Sequence, residues 1–320
     1  MARLPLLLIG RASGRMRGRL TERFEIVDLP EGAERAAFLR ERGEAFEAIL
    51  TNGYLGVPDD VAGACTALKV VSCFGVGYDG IDAASLAKRG VLVSHTPGVL
   101  NDEVAVTAIL LWFAVSRRLL QADRWARSGR WERDGSMPLT VSPQGRDVGI
   151  LGMGRIGRTV AERARAFGAR IHYHSRSQKD VEATYHESPR ALAAAVEVLI
   201  AVVPGGEQTR HLIDREVLEA LGPDGILVNV ARGSVVDQAA LIDMLEHGGI
   251  AGAGLDVFEE EPAVPEALKA MENVVLTPHV GSATEETRAA MGDLACENLE
   301  AWAEEGRVRT PVPESAALNA

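Results

Sequence analysis

The sequence predicts an α/β protein built from two doubly wound parallel-sheet domains, and three observations carry that prediction. The length of 320 residues is about two domains' worth. Short apolar runs alternate with helix-like stretches along nearly the whole chain, the βα signature of a parallel sheet. In mid-chain, Val148-Gly149-Ile150-Leu151-Gly152-Met153-Gly154-Arg155-Ile156-Gly157 passes from an apolar run through spaced glycines into a helix-like pattern that reaches Phe167.

Taken in order, the first hundred residues read as strands at 6–9, 24–27, 48–50, 70–72 and 91–94, with helix-like stretches such as 34–42 and 83–89 between them. Asp82 can cap the second stretch and Gly90 can end it. The apolar run at 4–9 is too short for a signal peptide and leads into Arg11, Arg15, Arg17 and Arg19, so it reads as a first buried strand. His95-Thr96-Pro97-Gly98 reads as a crossing between domains, followed by a long apolar helix over 101–121. Segment 131–146 has little periodicity and carries Pro138 and Pro143, which predicts a long functional loop or interface arm. A second series begins at Asp147, with strands at 148–151, 170–174, 198–203, 226–229, 252–256 and 274–277. Five or six strands after a glycine-rich first turn make a complete dinucleotide-binding fold. A helix over 287–302 is expected to pack back on the first domain. That domain is then discontinuous, 1–99 with 288–320, around a nucleotide domain at 100–287.

Composition narrows the function. A formal charge of -11 argues against nucleic acid or an anionic membrane as main partner. No apolar run approaches the length of a membrane span. Cys65, Cys73 and Cys296 form no CxxC pair, which fits free, buried thiols in a reducing cytoplasm and predicts no metal centre.

The glycine turn has a division of labour. Gly152 allows the tight turn, Gly154 lets backbone approach a pyrophosphate, and Gly157 lets helix pack on strand. The N–H groups at Arg155 and Ile156 open the helix and face the phosphates. A plainer reading is a βα turn used only for packing. About 20 residues past the turn, NAD-binding chains place an acidic residue for the ribose 2′-OH. Here His174-Ser175-Arg176-Ser177 stands instead. Arg176 can face a 2′-phosphate with Ser175 and Ser177 as donors, and Arg155 adds a second cation, so NADP is preferred and NAD remains possible. The plainer reading leaves Arg176 merely exposed.

Three later segments lie at strand ends, where ligands bind in open α/β sheets. They are Asn229-Val230-Ala231-Arg232-Gly233, Asp256 through Pro262, and Thr277-Pro278-His279-Val280-Gly281. Singly, Arg232 reads as a structural cation, Glu261 as part of a solvated acidic run and His279 as a loop histidine. Together they place an arginine, a carboxylate and a histidine where a cofactor's reactive end should lie.

These segments, with Gly75 through Asp82, Thr96-Pro97-Gly98-Val99-Leu100, Val203-Pro204 and Thr209-Arg210, give the chain a resemblance over nearly its whole length. It resembles the D-isomer-specific 2-hydroxyacid dehydrogenases, and within them the glyoxylate/hydroxypyruvate reductases. The resemblance implies two Rossmann/flavodoxin-like domains flanking an active-site cleft. It implies NADPH-dependent reduction of a small 2-keto acid to the D-2-hydroxy acid. Arg232 would hold the substrate carboxylate, with the Val76 and Gly77 N–H groups on its other side. His279 would donate the proton to the carbonyl oxygen, and Glu261 would orient the imidazole and raise its pKa. Val203, Pro204, Thr209, Val230, Ala231, Asp256, His279 and Gly281 would line the cofactor. Phe74, Leu55 and Tyr54 are wall candidates for the substrate side chain, or ordinary packing. The long helix, Trp112, Trp125, Trp131 and the loop 136–141 would build a homodimer, with Met137 or Leu139 reaching the partner's site. Val106 departs from the acidic residue that many relatives carry. Formate dehydrogenases have glutamine where this chain has Glu261, which argues against that branch. The alternatives are a reductase of bulkier aryl pyruvates and a dinucleotide-sensing interaction protein of the same fold.

Overall fold

A computed structural model describes residues 3–319. The chain divides into two compact units, Met1–Leu100 with Glu285–Ala320, and Asn101–Thr284. The first unit holds β1 (Leu4–Leu8), β2 (Phe24–Asp28), β3 (Ala48–Asn52), β4 (Val70–Phe74) and β5 (Leu92–Ser94). They form one sheet in the order β2-β1-β3-β4-β5, every pair parallel. This is the flavodoxin-like order. The second unit holds β6 (Asp147–Leu151), β7 (Arg170–His174), β8 (Thr184–Tyr185), β9 (Val198–Ala201), β10 (Ile226–Asn229), β11 (Gly252–Leu255) and β12 (Val274–Leu276). Their order is β12-β11-β10-β9-β6-β7-β8, again all parallel, and it reverses about β6 as in a dinucleotide-binding sheet. The predicted fold class is the one observed.

The strands are legible because both faces of each sheet are covered, so they read as near-continuous apolar runs. Val198–Ala201 and Ile226–Asn229 are buried at every position. One core of the second unit packs Leu192, Leu218, Leu241 and Leu268 on one face, and another packs Trp112, Val160 and Tyr173 on the other. In the first unit the helix Glu285–Glu305 covers β4. Ala295, Cys296 and Leu299 join Leu6, Leu8 and Val70 in one core, and the Ser72 hydroxyl donates to the Ala295 carbonyl at 2.9 Å. The Asp82 carboxylate accepts from the Ser85 N–H at 2.9 Å, as the capping pattern requires.

Four expectations are corrected. The apolar helix over 101–121 ends at Ser116, and a separate helix runs Leu119–Arg127. Between them Arg118 sits at φ 47, its N–H donating to the Val115 carbonyl at 3.1 Å, and the buried Ser116 hydroxyl bonds back to the Trp112 carbonyl at 2.9 Å. Segment 131–146 is not all loop, because a short helix spans Arg130–Asp134. The second sheet has seven strands rather than five or six, the extra one being the two-residue β8. Trp112 is fully buried in the core, so it has no surface to offer a second copy. Among the described residues no helix is long and apolar enough to cross a membrane.

Candidate active site

The three glycines after β6 meet different surroundings. Gly152 lies at φ +108, where side chains are strained, and its Cβ would also press on Val202 and Val203. A Cβ on Gly157 would lie 2.0 Å from the Gly152 carbonyl oxygen, so helix and strand could not close. A Cβ on Gly154 would meet nothing within 4 Å. Gly154 caps the helix Arg155–Arg165 with no side-chain hydrogen bond. Arg155 is exposed and Ile156 half-buried against the core beneath. An uncapped helix start facing open space fits a dinucleotide's pyrophosphate.

At the end of β7 the turn is closed by Tyr173, whose hydroxyl donates to the Lys179 carbonyl at 3.0 Å and accepts from its N–H at 2.8 Å. Arg176 is exposed. The Ser175 hydroxyl donates to the Ser177 carbonyl at 2.7 Å. Lys179 Nζ donates to Ser177 Oγ at 2.9 Å, which leaves that hydroxyl's own hydrogen for another acceptor. Lys179 is a second cation at this turn that the sequence reading missed. Its signal was a basic residue three positions past Arg176.

Across the sheet, Val203 and Pro204 lead into a loop that closes on itself, Thr209 Oγ1 donating to the Pro204 carbonyl at 2.7 Å. Val230 bonds back to β9 through the Ala201 carbonyl at 3.3 Å. The Asn229 side chain then accepts from the Ala231 N–H at 3.0 Å and donates to the Arg232 carbonyl at 2.9 Å, folding the turn that presents Arg232. Gly233 is required behind it, because a Cβ there would sit 1.9 Å from the Phe258 backbone.

Asp256 is buried and organises the next turn. Its carboxylate accepts from Thr277 Oγ1 at 2.7 Å, from the Val280 N–H at 2.8 Å and from the Gly281 N–H at 2.8 Å. Those bonds hold His279 at φ 53, left-handed geometry that costs a non-glycine residue on the order of 1–2 kcal/mol. His279 Nδ1 lies 2.7 Å from Glu261 Oε2. A carboxylate only accepts, so Nδ1 carries the hydrogen and Nε2 is the nitrogen left for chemistry. Burial works against the Glu261 charge, yet the His279 hydrogen bond and charge, the Phe258 N–H and the nearby Arg232 together hold its carboxyl below the usual range. The second unit thus brings Arg232, Glu261 and His279 to one place. A parallel pair, His211 and Glu259 at 2.7 Å, ties the 204–211 loop to the same acidic segment.

In the first unit the ends of β3 and β4 meet backbone to backbone. A Cβ on Gly53 would sit 1.9 Å from the Gly77 carbonyl oxygen, and one on Gly56 would sit 1.7 Å from that of Gly80. The Asn52 side chain accepts from the Tyr54 and Leu55 N–H groups at 3.0 and 2.8 Å. Tyr54 and Leu55 are exposed, whereas Phe74 is half-buried under the Arg288 guanidinium, 5.6 Å from its ring centre. Among the described residues the N–H groups of Val76 and Gly77 have no hydrogen-bond partner. The three cysteines are buried and in no disulfide, and burial pushes the Cys65 and Cys296 thiols up to about 11 and about 12, which removes those two as nucleophiles at neutral pH.

Residues 109–281 match the family described as D-isomer specific 2-hydroxyacid dehydrogenase, NAD binding domain. Glyoxylate/hydroxypyruvate reductase A of Arabidopsis thaliana is 42% identical over 98% of this chain and 100% of its own. Hydroxyphenylpyruvate reductase of Plectranthus scutellarioides is also 42% identical over the same shares. The crystal structure of an NADPH-dependent glyoxylate/hydroxypyruvate reductase from Sinorhizobium meliloti, in complex with NADP and malonate, superposes with a TM-score of 0.93. It shares 45% identity and covers 98% of each chain.

Proposed function

The chain belongs to the D-isomer specific 2-hydroxyacid dehydrogenase family, and on that premise we propose that it reduces glyoxylate or hydroxypyruvate to the D-2-hydroxy acid with NADPH. The observation that carries the reading is the His279–Glu261 pair at 2.7 Å, with Nε2 turned to chemistry and Arg232 beside it. Bound NADPH supplies the hydride. Arg232 grips the substrate carboxylate with its planar fork of donors. The Val76 and Gly77 N–H groups of the first unit are assigned to a substrate carboxylate. As the imidazolium, with hydrogen on both ring nitrogens, His279 would deliver the Nε2 proton to the carbonyl oxygen and be left as the neutral Nδ1–H ring, while Glu261 holds its orientation through Nδ1.

Arg176, Ser177 and Lys179 at the end of β7, where no acidic side chain stands, support a 2′-phosphate and hence NADPH over NADH. The relative from Sinorhizobium meliloti, which carries NADP, supports the same choice. NADPH oxidation with glyoxylate, hydroxypyruvate and phenylpyruvate, run beside NADH, tests the reading. Turnover with the two small acids is expected. Faster turnover of phenylpyruvate would move the assignment toward aryl pyruvates, and no turnover with any of them would leave a dinucleotide-binding role.

We assign the exposed apolar residues Leu119, Leu120, Trp131, Leu139 and Val141 to a homodimer contact. Trp125 props this arm, its Nε1 donating to the Gly135 carbonyl at 3.0 Å. Sedimentation of wild type beside Trp131→Glu/Leu139→Glu checks it, with a dimer and a monomer expected. Free, buried thiols suit a reducing cytoplasm.

A further inference from the structure

The loop after β4 offers two unpartnered N–H groups, and the carbonyls beside them are held. The successive carbonyls of Gly75, Val76 and Gly77 each have a partner within the first unit. The Thr96 N–H donates to the Gly75 carbonyl at 2.8 Å. His95 Nδ1 lies 2.9 Å from the Val76 carbonyl oxygen. The Cys73 thiol reaches the Gly77 carbonyl at 3.6 Å, a weak bond. In a planar trans peptide the C=O and the following N–H point in opposite directions. Holding the Gly75 carbonyl therefore aims the Val76 N–H, and holding the Val76 carbonyl aims the Gly77 N–H.

We propose that His95 is a positioning residue for substrate: its Nδ1–H fixes the Val76–Gly77 peptide plane so that the Gly77 N–H meets the carboxylate of a 2-keto acid. A carbonyl only accepts, so Nδ1 carries hydrogen here whatever the state of Nε2. His95 is itself held by its ring and by its backbone. Tyr78 packs edge-on against it at 5.5 Å and 87°, and the Tyr78 hydroxyl reaches Glu314 at 3.1 Å. The His95 backbone donates to the Thr310 carbonyl at 3.2 Å and accepts from the Thr310 hydroxyl at 2.6 Å. Asn298 in turn accepts from the Thr310 N–H at 2.9 Å. A ring held this firmly gives the peptide one orientation before substrate arrives, and that preorganisation is what an anion receptor needs.

This inference rests on the keto-acid reading of the site, and the experiment separates the two. His95→Phe keeps the ring against Tyr78 and removes the donor. His95→Asn keeps an N–H about where Nδ1 lies. Each variant and the wild type are assayed for glyoxylate reduction, for NADPH affinity and for melting. Binding of oxamate, an inert mimic of a small 2-keto acid, to the NADPH-loaded protein is measured by calorimetry. His95→Phe is expected to raise KM for glyoxylate and weaken oxamate about tenfold, with kcat within about twofold and NADPH affinity unchanged. His95→Asn is expected to restore both. An unchanged KM in His95→Phe, or an equal rise in His95→Asn, overturns the inference and leaves the keto-acid reading standing. A wild type that neither turns over glyoxylate nor binds oxamate brings down both.

Discussion

The two glycine-bearing strand ends, after β4 and after β6, each leave backbone N–H groups without a partner and orient them by different means. After β6 a helix of eleven residues, Arg155–Arg165, begins at Gly154, so regular backbone geometry and the helix dipole aim the donors. After β4 the next helix starts only at Ala83, and single contacts from His95, Thr96 and Cys73 do the aiming. A helix-aimed receptor is compact in sequence and reads as a motif. One aimed by separate contacts is spread over distant positions and shows itself only in three dimensions.

If the two receptors grip and a separate corner reacts, damage to each should read out differently. His279→Ala should lower kcat about 10²–10⁴-fold with NADPH affinity, followed by fluorescence titration, unchanged; near-normal turnover would remove His279 from the mechanism. Gly53→Ala forces a Cβ against the Gly77 carbonyl. It should raise KM for keto acid tenfold or more and lower the melting temperature by several degrees, roughly the cost of overpacking. Gly154→Ala places its Cβ in open space, so it should weaken NADPH about tenfold while melting stays within about a degree. Equal losses of both kinds in both glycine variants would erase the distinction between the two loops.

Ser175→Asp with Arg176→Ala should shift the NADPH-to-NADH preference about 10–100-fold toward NADH, the worth of one or two charge-assisted bonds. An unchanged ratio would sink the phosphate assignment. The smallest effect concerns pH. The folded Glu261 carboxyl titrates below its unfolded value of 4.5, so the stability it adds is present above that value and is lost as pH falls through the folded one. Wild type should melt above Glu261→Gln near neutrality, and the gap should close as pH falls through the titration of the folded carboxyl. A gap that persists in acid would show that the carboxylate is not its source.

Much of this was legible in the chain. Leu4–Leu8, Val198–Ala201 and Ile226–Asn229 announce themselves because a doubly covered parallel strand is apolar throughout. The turn at Gly152–Gly157 and the strand-end residues Arg232, Glu261 and His279 stood out for the same topological reason, that ligands meet such sheets at strand ends. What escaped was local or paired. The break at Arg118 falls in Ser116-Arg117-Arg118, which holds neither glycine nor proline and so gives no breaker signal within a helical pattern. Thr184–Tyr185 is too short to show a period. Trp112 reads as an interface residue until the sheet that buries it is known. Gly53 and Gly56 pass for ordinary turn glycines, since their need arises from Gly77 and Gly80 on another strand.

The late return of the chain to its first unit also has a consequence for synthesis. β4 is made early, but the helix that covers it, Glu285–Glu305, is made more than two hundred residues later. At roughly 5–20 residues per second, the nascent sheet waits on the order of ten to forty seconds with Leu6, Leu8 and Val70 lacking that cover. The nucleotide-binding unit is a continuous segment and has no such wait. On the ribosome it can close first, and the older half of the polypeptide becomes the younger half of the fold.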